Sequence, residues 1–159
     1  MHVLYYDVYK NEKAETELGA QHVDFDALLA ESDFVSVHPD LNEQTRGMFG
    51  HEQFRKMKRT AVFVNTARGP LVDQKALAGA LQSGTIFAAG LDVTDPEPPA
   101  GDDPLLRLPN AIVAPHIASA TVGTRNAMAE ICAENLIAGL EGRKLPAWVN
   151  PEVEGKRRR

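Results

Sequence analysis

The chain has 159 residues, 43% of them hydrophobic and 25% charged, enough for one globular domain with a core of its own. Its 17 basic and 22 acidic residues leave a formal net charge of −5, which argues against a nucleic-acid or anionic-membrane partner. A single cysteine, Cys132, excludes an intramolecular disulfide and a cysteine-based zinc cluster, and no apolar run reaches the length of a membrane span. With no signal-peptide pattern either, the expected setting is the reducing cytoplasm.

Strand-like and helix-like patterns alternate along the chain. Val3 to Tyr6 reads as a short strand ending at Asp7, Phe25 to Ser32 as a short amphipathic helix around Leu28 and Leu29, and Asp33 to His38 as the next strand. His51 to Lys58 is helical, with Phe54 and Met57 on one face, and Ala61 to Asn65 is a buried strand. Asp73 caps a helix carrying Leu77, Ala80 and Leu81 that stops at Ser83-Gly84. Strands at Ile86 to Leu91 and Ala111 to Val113 follow, separated by the Pro-rich, acidic loop Thr94 to Pro104. A long helix from about Ser119 to Leu140 comes last, with Cys132 among Met128, Ile131 and Leu136, where a buried, inert thiol is expected.

Continuously apolar strands separated by helices predict a parallel sheet covered on both faces, the doubly wound α/β class. Ligands bind such sheets beyond the carboxyl ends of the strands. The residues there are Asp7, His38, Arg68, Asp92 and His116. A carboxylate such as Asp7 can accept both ribose hydroxyls of an adenosine, or simply begin a turn. Arg68 precedes Gly69-Pro70, and its planar fork matches a carboxylate; alone it reads equally well as a solvated turn residue. Glu97 is held between Pro96 and Pro98, and His116 follows Pro115. Together they make a reaction set. His116 could give a proton to a ketone oxygen, Glu97 could orient its ring, and Arg68 could hold a substrate carboxylate. A nicotinamide would have to supply a hydride.

The segments VLYYD, SDFVSVH, KMKRTAVFVNTARGPLVD, AAGLDVTDPEP and LPNAIVAPHIASAT, in that order, resemble the cofactor-binding region of the D-isomer-specific 2-hydroxyacid dehydrogenases, and most of all the glyoxylate and hydroxypyruvate reductases. The resemblance runs from Val3 to about Pro151. It implies a Rossmann-like fold over residues 1–150, with 119–150 leading toward a substrate domain and 151–159 left as a disordered basic tail. It implies further that Arg68 binds substrate, that Glu97 and His116 form the acid/base pair, and that Asp92 meets the nicotinamide carboxamide. Cofactor contacts are expected from Asp7, His38, Pro39, Thr66, Ala67, Arg68, Asp92, His116 and Ala118. NADP-preferring relatives usually carry a small polar residue followed by Arg where this chain has Asp7-Val8, so NAD(H) is favoured over NADP(H). The implied substrates are small 2-oxo or 2-hydroxy acids, and the implied assembly is a homodimer through the cofactor domain.

The chain departs from the family pattern in three places. Asp40 after Pro39 puts a carboxylate near the expected pyrophosphate, and Ala118 stands where glycine is frequent. No G-x-G-x-x-G occurs anywhere, and Met1 aligns with a methionine that in the family follows the glycine-rich loop. The expectation is an N-terminally truncated domain lacking the central first strand, with two apolar strand edges uncovered. Two readings from another class stand beside the reductase: a corepressor-like protein that senses dinucleotide without turnover, and a remnant that only dimerises. Residues 1–159 alone are expected to bind NAD weakly or not at all and to turn over no substrate; micromolar binding in a calorimetric titration would contradict this.

Overall fold

The computed structural model describes residues 1–156, which form two compact units, one from Met1 to His116 and one starting at Ile117. The first unit contains β1 (Leu4–Tyr5), α1 (Glu12–Leu18), β2 (Gln21–His22), α2 (Phe25–Glu31), β3 (Phe34–Val37), α3 (His51–Lys56), β4 (Val62–Asn65), α4 (Gln74–Gln82), β5 (Ala88–Leu91) and β6 (Ala111–Val113). All strand pairings are parallel. They form two sheets, β1-β2 and β3-β4-β5-β6, so the doubly wound pattern is present in two pieces, and β1 and β3 are not paired with each other.

Register in the larger sheet sets up everything that follows. Val37 pairs with Asn65, Asn65 with Leu91, and Leu91 with Val113, so four strands end at one level. The next residues, His38, Thr66, Asp92 and Ala114, leave the sheet along a common carboxyl edge.

The sheet is covered less evenly than its apolar strands suggest. Side chains alternate across a pleated strand. Val35, Val37, Phe63, Asn65, Ala89 and Leu91 are buried on one face, in a core shared with Leu29 of α2, Phe54 of α3, and Leu77 and Leu81 of α4. On the other face Phe34 and Ile112 are exposed, and Val62, Val64, Ala88 and Gly90 are half-buried. One face is therefore fully packed and the other is partly open. A run of apolar residues cannot say which of its two faces will meet a partner.

Aromatic rings link the small sheet's surroundings to this core. Tyr6, just past β1, meets Phe25 at 5.2 Å between ring centroids; Phe25 meets Phe49 at 5.5 Å, Phe49 meets Phe63 at 5.1 Å, and Phe63 meets Phe54 at 5.3 Å. The last three contacts are edge-on, the geometry the ring quadrupole favours. In the small sheet, Tyr5 Oη donates to Glu15 Oε1 (2.9 Å) and accepts from the Asn11 N–H (2.8 Å). Partial burial raises the Tyr5 phenol above its ordinary range, the Asn11 N–H opposes this, and the Glu15 carboxylate reinforces it.

Sequence reasoning missed α1 and β2. The helix EKAETEL buries no residue, so it carries no apolar stripe to read. It rests instead on its caps, Asn11 Oδ1 accepting from the Ala14 N–H and Gly19 at φ 65° closing the end. The other strands and helices lie where expected; β6 keeps its expected bounds, while most are shorter at their ends, β5 beginning at Ala88 rather than Ile86.

The second unit contains α5 (Val122–Leu140), capped by Thr121, and a return segment. In that segment the Ala147 N–H donates to Asn135 Oδ1 (3.0 Å). Cys132 is exposed, which corrects the expected buried thiol. Ala138 is the buried residue of α5, while Met128, Ile131 and Leu136 all face outward to a large extent. Residues 151–156 form a short 3-10 helix, and the end of the basic tail, 157–159, lies outside the described residues.

Phe63 and Phe34 provide a test of the uneven sheet. Phe63→Ala empties a fully buried position and is expected to cost about 3–5 kcal/mol in urea unfolding. Phe34→Ala, on the exposed face of the neighbouring strand, is expected to cost under about 1 kcal/mol. Equal losses would contradict the one-sided packing.

Candidate functional site

The turn after β4 is built from inside. Asn65 is 1% exposed, and its side chain closes the turn: Oδ1 accepts from the Ala67 N–H (3.0 Å) and Nδ2 donates to the Arg68 carbonyl (2.9 Å). A buried amide bonded on both sides costs little, whereas its removal would strand two backbone groups. The chain then enters a 3-10 turn, Gly69–Leu71, tied to the segment before α3 by bonds from Gly47 N to Pro70 O (2.8 Å) and from Phe49 N to Leu71 O (3.1 Å). Asp73 starts α4 by accepting from the N–H groups of Lys75 and Ala76.

After β5, Asp92 is buried, and its N–H donates to the Asn65 carbonyl (2.9 Å). The loop from Thr94 to Pro98 follows, with cis peptide bonds at Asp95-Pro96 and Glu97-Pro98. Gly69 packs directly beneath it. A Cβ placed on Gly69 would overlap the Thr94 carbonyl and come within 2.8 Å of Asp95 N. Glycine is required there for space, since the obstacle is backbone that cannot rotate away.

After β6, Ala114 and Pro115 lead to His116, whose φ of 54° is left-handed. Such a backbone is uncommon outside glycine and is held only where the surroundings enforce it. His116 Nδ1 lies 2.5 Å from Glu97 Oε1. A carboxylate can only accept, so Nδ1 carries the hydrogen and Nε2 is the ring atom left to exchange a proton. Both side chains stay partly open to solvent, at 47% and 39% exposure. They sit on an open cleft of about 430 Å³, shared with Asp92, Thr94, Pro98, Pro99, Leu106, Val113, Ala114 and Pro115.

The other expected residues are placed as follows. Arg68 is exposed, and its Nη1 donates to the adjacent Ala67 carbonyl (2.6 Å); it does not line the cleft of His116 and Glu97. Thr66 is exposed and Ala67 half-buried on the same turn. Asp7 lies two residues past β1, with Oδ1 accepting from the Tyr9 N–H (3.1 Å) and its carbonyl 3.0 Å from His22 Nε2. His38 is exposed, with Nε2 2.8 Å from Ser36 Oγ, and Pro39 is half-buried beside it. Ala118 belongs to the second unit. The structure thus joins Glu97, His116 and Asp92 at one cleft, and carries Arg68, Thr66 and His38 out on the same strand edge without joining them to it.

Two residues that hold this arrangement were not singled out from the sequence. Asn65 was read as the end of a strand, although an Asn before a turn is itself a signal for side-chain capping. Gln74, the first residue of α4, carries no local signal in the sequence. No group of three or more His, Cys, Asp or Glu able to hold a metal occurs among the described residues.

A parallel α/β unit whose strands end along one carboxyl edge belongs to the class of open, doubly wound domains, which bind their ligands beyond that edge. The chain belongs to the D-isomer specific 2-hydroxyacid dehydrogenase family: the model of that family's NAD binding domain matches residues 1–118. It is 56% identical over 153 residues to a glyoxylate reductase of Korarchaeum cryptofilum, covering 96% of this chain and 46% of that protein. It is 49% identical to glyoxylate/hydroxypyruvate reductase B of Escherichia fergusonii, covering 96% and 47%. The crystal structure of D-lactate dehydrogenase with NAD+ from Lactobacillus jensenii superposes with a TM-score of 0.87 at 38% identity, covering 93% of this chain and 48% of that one. The chain spans about half the length of the curated relatives it matches.

Two glycines separate space from propensity. Gly69→Ala is expected to lower stability by about 1–3 kcal/mol, and to shift the amide resonances of Thr94 and Asp95 most. Gly79→Ala in α4, where an added Cβ meets nothing within 4 Å, is expected to raise stability by about 0.5–1 kcal/mol. A neutral Gly69→Ala would contradict the close approach.

Proposed function

We propose that the full protein containing this chain is an NAD(H)-dependent reductase of small 2-oxo acids, glyoxylate or hydroxypyruvate, forming the corresponding 2-hydroxy acid. The observation that carries this reading is the His116–Glu97 pair on an open cleft at the carboxyl edge of an NAD-binding-family sheet. In the forward direction the His116 Nε2 proton passes to the carbonyl oxygen as that oxygen gains charge. Glu97 keeps Nδ1 protonated and balances the imidazolium. Arg68 rotates from the Ala67 carbonyl to receive the substrate carboxylate, a rotamer change within reach of an exposed side chain. The dinucleotide, when bound, supplies the hydride.

The residues present fit the adenosine and nicotinamide ends of such a cofactor. Asp7 stands just beyond β1 with an exposed carboxylate that can accept ribose hydroxyls and would repel a 2′-phosphate, which supports NAD(H) over NADP(H). Asp92 lines the cleft on the side of His116, where a carboxamide could meet it. The outward-facing apolar residues of α5, Ile131, Leu136, Ile137 and Leu140, support a homodimer through this region. The cytoplasm, with its NAD(H) supply, is the setting this reading implies.

Steady-state rates for the full-length gene product with glyoxylate, hydroxypyruvate and phosphohydroxypyruvate test the proposal. We expect turnover of one of the first two, with kcat/KM higher for NADH than for NADPH, and a loss of about 10²–10⁴-fold in kcat for His116→Gln. Dinucleotide binding with no oxidation of NADH by any of the three acids would support the sensing protein instead.

A further inference from the structure

We propose that Gln74 is a positioning residue for the His116–Glu97 pair: its one side-chain amide clamps the loop that carries Glu97 to the loop that carries Leu106. Gln74 opens α4 directly after the Asp73 cap and does not line the cleft. Its Oε1 accepts from the Asp95 N–H (3.0 Å), two residues before Glu97. Its Nε2 donates to Asp103 Oδ2 (2.6 Å). Asp103 uses its other oxygen to cap the 3-10 turn Pro104–Arg107, accepting from the Leu105 N–H (2.9 Å). That turn buries Leu105 and presents Leu106 to the cleft.

The amide therefore bridges two walls of one cleft from behind. Its chemistry suits the position narrowly, because it must accept on one side and donate on the other. Glutamate would accept from Asp95 but would face the Asp103 carboxylate. Methionine would fill the space and bond neither.

The loop between Thr94 and Glu97 has two further restraints. Gly69 abuts the Thr94 carbonyl and blocks movement toward the turn after β4, and Thr94 Oγ1 donates to the Pro96 carbonyl (2.8 Å). Apart from His116 itself, Gln74 holds the loop from outside at Asp95, two residues before Glu97. Releasing it leaves the steric floor in place but frees the loop to rise, and the Glu97 carboxylate with it. The inference rests on Glu97 and His116 being the proton-transfer pair; its test uses neither turnover nor cofactor, so the two ideas can fail separately.

The test compares the wild-type chain, Gln74→Met, and the double variant Gln74→Glu with Asp103→Asn by NMR and amide exchange. In the double variant the polarity is reversed, since the new carboxylate accepts both from the Asp95 N–H and from the new amide at position 103, which can still cap Leu105. We expect the wild type to show a slowly exchanging His116 Nδ1–H signal, assigned by its loss in His116→Gln. In Gln74→Met that signal should vanish into exchange with water, and exchange of the Asp95 amide should rise about tenfold, the order one hydrogen bond provides. The double variant should restore both, which a space-filling role for Gln74 would not do. The proposal is overturned if the wild type lacks the His116 signal, if Gln74→Met keeps it, or if the folded double variant fails to recover it. Should Gln74→Met not fold, the double variant alone decides by keeping or losing both wild-type values.

Discussion

The contact of Gly69 with the Thr94 carbonyl and Asp95 nitrogen is the constraint on which the rest of the site depends. Two backbones touch there with no side chain between them, so the turn after β4 and the loop after β5 move as one. The turn is itself rigid, because the buried Asn65 amide is used up on Ala67 and Arg68, and because Gly47 and Phe49 tie down the following residues. Position is thus passed from the sheet through a packed interior, where voids are few and strain has nowhere to disperse.

Sheet register decides which chemistry can meet. Because Val37, Asn65, Leu91 and Val113 are aligned, residues at the same offset beyond each strand emerge side by side. His116 and Glu97 come together from different strands, at offsets of three and six residues, and the left-handed turn at His116 points its ring at the Glu97 carboxylate. Arg68 emerges at an offset of three from β4 but turns back on Ala67. Its place on the edge is set by the fold, whereas its direction is set by a single exposed rotamer.

Legibility followed the source of each element's stability. The strands of the large sheet and the helix begun by Asp73 were readable, because apolar runs and a side-chain cap leave local marks. The small helix Glu12–Leu18 was not, because caps and Tyr5 hold it without an apolar stripe. The burial of Cys132 was misread for the opposite reason: α5 has apolar residues in abundance, but their spacing does not say whether anything covers them. Gln74 left no mark, since its two partners lie 21 and 29 residues downstream.

By itself the sequence determined the class of fold, the order of the large sheet's elements and the family, because strand patterning, caps and five long motifs are properties of short segments. It also determined which residue types could carry the chemistry, Arg68, Glu97, His116 and Asp7 among them. Only the tertiary structure decided that Glu97 reaches His116 while Arg68 does not yet face them. It also decided that one face of the sheet is packed, and that Gly69 abuts, and Gln74 hydrogen-bonds, the loop that carries Glu97. Those outcomes depend on distances between segments far apart in the chain, which are fixed only when the core closes and each buried polar group must find its partner.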